Sequence, residues 1–134
     1  MKDLFDKVGE FNQAFGISEN QQINCHIPDK NKLLYHELMR EELQEYYDAV
    51  IDGDKIEVAD SLADQLYVLI GLFRKHGISW ELAQEIFNHV HDSNMSKLGK
   101  DGKPIIREDG KRLKGPNYFK PNIGAIINKN NGSE

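Results

Sequence analysis

Apolar residues recur at helical spacing through four stretches of the chain, each with its own pattern. Phe5, Val8, Phe11 and Phe15 stand three or four apart, which predicts a first helix over roughly 4–15 with Asp3 as its N-cap. Residues 16–30 break that rhythm with Gly16, Pro28 and scattered polar groups, and read as a loop. A second helix is predicted from about Lys30 to Ile51, ending at the turn signal Asp52-Gly53-Asp54. A third runs from about Lys55 to Lys75 and stops at His76-Gly77. Ser79 then caps a fourth helix that continues to about Lys97, with Glu81 in its first turn favouring the helix dipole.

Beyond Gly99 the pattern changes. Asp101-Gly102-Lys103 and Asp109-Gly110-Lys111 are tight-turn signals, and Pro104–Arg107 with Arg112-Leu113 is the material of a short hairpin. Residues 125–134 read as a frayed tail after a single domain over 1–124. The expected fold class is therefore all-α, a bundle of four to five helices with a short C-terminal hairpin or loop extension.

Some polar residues do not fit a simple inside–outside division. At about 100° per residue, Glu41, Glu45, Asp48 and Asp52 form one stripe of the second helix. Tyr35, Leu38, Met39, Leu43, Tyr46, Ala49 and Val50 form another, and Glu42 falls inside that apolar arc. A solvated acidic face explains the stripe but leaves Glu42 unexplained. In the third helix Val58, Leu62, Leu66, Leu69 and Phe73 make an inner stripe that Ala59, Ala63, Tyr67, Val68, Ile70 and Leu72 extend nearly all round, which predicts burial on almost every side. Glu57, Asp60 and Asp64 nevertheless share an arc of about 60° on it. Like charges so placed repel, and burial raises their pKa values unless a cation compensates. Arg40 and Lys55 are too few to do so, whereas Mg²⁺ favours such oxygen ligands completed by water and phosphate. On the fourth helix Leu82, Ala83, Ile86, Phe87 and Val90 define an inner face that Ser93, Asn94 and Lys97 continue. An inward asparagine and lysine there suit phosphate oxygens.

Charge sharpens the picture. The net charge of −5 divides unevenly: residues 97–120 hold eight Lys/Arg against three acids, a balance of +5, which leaves −10 on the remainder. An acidic body with a basic segment suits a polyanion held over bound cations, or attraction between subunits. No aromatic-interleaved basic patch or reading helix points to nucleic acid. No apolar run approaches the roughly 20 residues that span a bilayer, and no signal sequence is evident. Cys25 is the only cysteine, so no internal disulfide forms, and a cytoplasmic setting is expected.

The sequence Glu41-Glu42-Leu43-Gln44-Glu45, followed by Glu57-Val58-Ala59-Asp60-Ser61-Leu62-Ala63-Asp64, resembles the paired acidic motifs of the all-α nucleoside triphosphate pyrophosphatases. That superfamily includes MazG-like enzymes, dimeric dUTPases and phosphoribosyl-ATP pyrophosphatase. Its pattern is E-E-x-x-E on one helix and E-x-x-D on the next. Ser93–Lys97 and Glu108–Lys111 with Leu113–Tyr118 are similar to C-terminal segments of the compact MazG-like branch, so the resemblance covers about residues 4–122. Glu57/Asp60 satisfy E-x-x-D literally, while alignment on Leu66-Tyr67 and Gly77 places Asp64 at the motif's aspartate and Ser61 at its glutamate; both registers stay open.

The resemblance implies a Mg²⁺-dependent (or Mn²⁺-dependent) pyrophosphohydrolase that splits a nucleoside triphosphate at the α–β bond into monophosphate and pyrophosphate. It assigns Glu42, Glu45, Asp60 and Asp64 to metal, Glu41 or Glu57 to the catalytic base, and Asn94, Lys97, Lys114 and Tyr118 to substrate. Phe11 and Phe15 either flank a base or belong to the core. It also implies a bundle completed by dimerisation or tetramerisation. The alternatives are phosphoribosyl-ATP as substrate, or an idle helical dimer that senses nucleotides or binds protein.

Overall fold

A computed structural model describes residues 1–131. Its helices are α1 (Lys2–Ala14), α2 (Asp29–Asp52), α3 (Lys55–Lys75), α4 (Trp80–Met95) and α5 (Ile123–Asn131). Among the described residues there is no strand, so the class is all-α, as the periodicity predicts. The predicted hairpin is reduced to a single antiparallel bridge, Ile106 with Arg112. The tail expected to fray over 125–134 is helical as far as Asn131, and its last three residues lie outside the described ones. Asp3 lies within the first turn of α1, whose N-cap is Met1. Within the stretch read as one domain, the chain divides into two compact units, Met1–Trp80 and the part from Glu81 onward.

In the first unit α2 and α3 form an antiparallel pair through the tight connection the sequence signals. Gly53 takes the left-handed conformation at φ 69°, and Asp54 Oδ1 accepts hydrogen bonds from the Ile56 and Glu57 amides at 3.1 Å, capping α3. Small residues are buried on both helices: Ser61 of α3 fully and Ala49 of α2 nearly so. Against α3 packs α1, whose Phe5 ring lies 5.8 Å from that of Phe73 and 5.4 Å from that of Trp80.

The loop between α1 and α2 is fastened to the C-terminal end of α3. Arg74 donates from Nε and Nη2 to Glu19 at 2.6 and 3.0 Å and from Nη1 to the Phe5 carbonyl at 3.1 Å. Its guanidinium lies so close over Gly9 that a Cβ there would stand 2.5 Å from Nη2. The buried Lys75 donates to the Ser18 carbonyl and hydroxyl at 2.7 and 3.0 Å, and burial together with Lys30 pushes its pKa down. Gly77, at φ 74°, completes the clamp, since a Cβ there would lie 2.2 Å from the Gln22 carbonyl oxygen. Gly77→Ala therefore combines backbone strain with a clash against backbone, at a cost of about 2 kcal/mol or more. Chemical denaturation of the variant beside the parent checks this.

The second unit holds α4, the basic segment and α5. Leu82, Ala83 and Ser93 form the buried face of α4, while Phe87, assigned to that face from the sequence, is 70% exposed. Position 87 sits about 140° around the helix from Leu82, on the flank rather than the face.

Candidate functional site

Glu42 is the centre of the acidic arrangement. It lies on the side of α2 that meets α3, and its Oε2 atom is buried without a hydrogen-bond partner. Burial pushes its carboxyl above the usual range, and the neighbouring charges of Glu45, Asp64 and Asp60 push it further the same way. Glu45 of α2 and Asp60 and Asp64 of α3, the other acids assigned to metal, thus all act on Glu42. Glu45, Asp60 and Asp64 are exposed, so the pair presents one sunken carboxyl rimmed by three that face solvent.

Among the described residues, the groups that shift the Glu42 carboxyl include no cation. Arg40, the nearest in sequence, is held by Glu37, with Nη2 to Oε2 at 2.8 Å. Among the described residues no three His, Cys, Asp or Glu side chains are gathered so as to hold a metal ion as they stand. An orphaned buried carboxylate oxygen ringed by acids, with no protein cation to neutralise it, fits a divalent ion and its water.

The other assigned acids lie beside this group. Glu41 is exposed on the outer arc of α2, and Glu57 is half-buried in the first turn of α3, its amide held by Asp54. Neither is among the groups that shift Glu42.

The assigned substrate residues belong to the second unit, and one expectation there needs correcting. Lys97 does not continue α4, which ends at Met95. Instead Ser93 and Ser96 are engaged by the basic segment: Ser93 Oγ donates to the Phe119 carbonyl at 2.8 Å, and Ser96 Oγ accepts from the Phe119 amide at 3.1 Å. The Gly115 amide donates to the Lys97 carbonyl at 2.8 Å, which fixes the backbone after the helix. Asn94 is exposed and Lys97 half-buried on that turn. Lys114 and Tyr118 are brought together, the ammonium 4.7 Å from the ring centroid.

Sequence reasoning passed over two features of the first unit. Gln65 Nε2 is buried without an acceptor on α3, a signal visible only as an amide within an apolar helix. Asn12, 5% exposed, donates from Nδ2 to Glu19 Oε2 at 2.8 Å and so joins the Arg74 network. Nothing local in the sequence announces that partnership.

The profile of the family described as Phosphoribosyl-ATP pyrophosphohydrolase matches residues 8–94, well over half of the chain. The chain belongs to that family. It lies within the MazG-like all-α pyrophosphatase superfamily that the acidic motifs resemble. The match takes in every carboxylate of the site and ends at Asn94, before Lys97, Lys114 and Tyr118. An uncharacterized protein, L479, of Acanthamoeba polyphaga mimivirus is 31% identical over 103 residues, which make up 75% of this chain and 38% of that protein. The chain thus spans well under half the length of that relative. Among the described residues no helix is long and apolar enough to cross a membrane.

The raised carboxyl of Glu42 makes a pH prediction. Below the usual glutamate value of 4.5 both folded and unfolded chains carry the proton, whereas above it the native state holds it longer. Metal-free stability therefore falls as pH rises from 4.5 through the raised value. Glu42→Gln flattens that dependence, which melting curves across the range in the presence of chelator will register.

Proposed function

We propose that the protein is a Mg²⁺-dependent nucleoside triphosphate pyrophosphohydrolase that releases monophosphate and pyrophosphate. The observation that carries the proposal is the buried, partnerless Glu42 carboxylate oxygen among Glu45, Asp60 and Asp64, inside the segment that matches the family. Glu42, Glu45, Asp60 and Asp64 hold the cation. Once bound, Mg²⁺ supplies charge neutralisation at the phosphates and acidifies water.

Either Glu41 or Glu57, acids that flank the group, accepts the proton of the attacking water. The new P–O bond forms at the α-phosphorus as the α–β bridge breaks, and pyrophosphate carries away the electron pair. No covalent nucleophile is required. Asn94, Lys97, Lys114 and Tyr118 contact the substrate, the lysines through charge-assisted bonds to phosphate.

Phosphoribosyl-ATP is the second substrate to consider, because the matching family carries that description. Pyrophosphate release from nucleoside triphosphates and from phosphoribosyl-ATP, each with Mg²⁺ or Mn²⁺ and again in excess chelator, tests both substrates and the cation. Activity that survives full chelation removes the metal assignment. Absence of release from every substrate leaves the nucleotide-sensing alternative in its place.

Self-association belongs to the same proposal. Leu43, Tyr47 and Val50 of α2 and Leu62 and Leu69 of α3 are between 41% and 59% exposed in the single chain, so the all-round burial expected of α3 is not met within it. A second copy against these helices would complete the bundle. Light scattering on the eluting protein is expected to give a dimer or tetramer mass.

A further inference from the structure

Beside the acids on the same side of the α2–α3 pair lies an apolar cavity of about 230 Å³. Leu38 of its wall precedes Glu42 by one turn, and Tyr67 follows Asp64 by three residues. The cavity is thus about 5–10 Å along the helix axes from the carboxylates. Its aromatic wall is Phe11 of α1 meeting Tyr67 edge-on at 5.7 Å, with Phe15 stacked on Phe11 at 4.4 Å. Both Phe11 and Tyr67 keep about two fifths of their surface exposed, so the rings are not consumed by the core. The volume is below that of a site for a whole nucleotide and suits one flat ring system.

One polar side chain in that wall is held rigidly. Asn12 lines the cavity and is 5% exposed. Its Nδ2 donates to Glu19 Oε2, an acceptor fixed in turn by Arg74 at 2.6 Å. A carboxylate only accepts, so this bond sets which end of the amide is which. The end left over is the carbonyl Oδ1, which accepts no hydrogen bond among the described residues.

We infer that Asn12 is a specificity-determining residue that selects a nucleobase bearing an exocyclic amino group, seated between the aromatic wall and the Asn12 carbonyl. The inference rests on the proposed function in taking the neighbouring carboxylates as the phosphate end of the site. An amino group such as that of cytosine or adenine donates to Oδ1. The corresponding keto base sets its own carbonyl against it, leaving two acceptors face to face and desolvated. The Glu19–Arg74 network prevents the amide from rotating to accommodate it. Discrimination of this kind, by a fixed polar group in an apolar pocket, is worth about ten- to a hundred-fold.

The test uses substrates that differ only in that group: dCTP against dUTP, and ATP against inosine triphosphate. Pyrophosphate release gives kcat/KM for each, and titration calorimetry with Mg²⁺ gives Kd for the matched monophosphates. The wild-type chain is expected to favour the amino member of at least one pair by about tenfold or more in both measurements. Asn12→Leu is expected to bring that ratio to within about threefold of unity. Asn12→Ala, which removes the carbonyl altogether with a smaller change of shape, is expected to do the same and serves if the leucine variant does not fold. Loss of a merely structural asparagine would slow all four substrates alike and leave the ratio intact, which overturns the inference. Equal wild-type use of both members of each pair, with equal monophosphate affinity, also overturns it and leaves the pyrophosphohydrolase reading standing. Absence of turnover with every triphosphate defeats that reading instead, and the monophosphate affinities then decide the role of Asn12 alone.

Discussion

Glu42→Gln and Asp60→Asn are each expected to abolish turnover, lowering kcat by about 10²–10³-fold or more, with helical content unchanged. Both substitutions keep side-chain shape and remove only charge. Glu42 has no structural partner to lose at Oε2, and Asp60 is exposed, so neither change opens a cavity or breaks an ion pair. What each removes is one carboxylate from a group of acids that, under the proposed function, holds the cation. Metal-free stability responds in the opposite direction to activity. Because burial and three neighbouring acids oppose ionisation of Glu42, the glutamine variant is expected to melt at the same temperature or a few degrees higher near neutral pH. A carboxylate that served only structure would give the reverse result, with turnover retained and the melting temperature lowered. Near-wild-type rates in both variants would remove these acids from the mechanism.

Lys97→Ala is expected to raise KM about ten- to a hundred-fold, the usual worth of one charge-assisted contact to phosphate. Its backbone is held by the Gly115 amide, and a Cβ at Gly115 would lie 2.7 Å from the Lys97 carbonyl oxygen, so the turn that presents the side chain is closely packed. No ion pair engages the ammonium among the described residues, which leaves it for an anion. The carboxylates are untouched by the change, so catalysis at saturating substrate is expected to survive. An unchanged KM would return Lys97 to the solvent and move phosphate binding to the Lys111–Lys114 segment.

Much of this was legible without coordinates. The span Lys55–Lys75 is both the predicted and the observed third helix, because a turn signal precedes it, His76-Gly77 follows it, and an apolar rhythm fills the interval. The second helix differs from its prediction by one residue at each end. Glu42 betrayed itself as a charge inside an apolar arc, and the order of acids along α2 and α3 was enough to suggest the family. These are local properties. An angle of about 100° per residue fixes which side chains share a face as soon as the helix is granted.

The tertiary structure decided what each face meets. Four acids read as one set proved unequal, with Glu42 sunk between the helices while Glu45, Asp60 and Asp64 stayed at the surface. The rhythm of α4 ran on to Lys97 in the sequence, yet the helix stops at Met95, and Ser93 and Ser96 bond the backbone of Phe119 instead. The apolar rhythm of α3 places Leu62 and Leu69 on its inner stripe, yet both remain 41–48% exposed in the single chain. Asn12, Glu19 and Arg74 gave no sign of their association, since Glu19 and Arg74 stand 55 positions apart. Periodicity records the side a residue occupies, whereas burial and hydrogen bonding depend on which distant segment packs there. Only the folded chain brings those segments together.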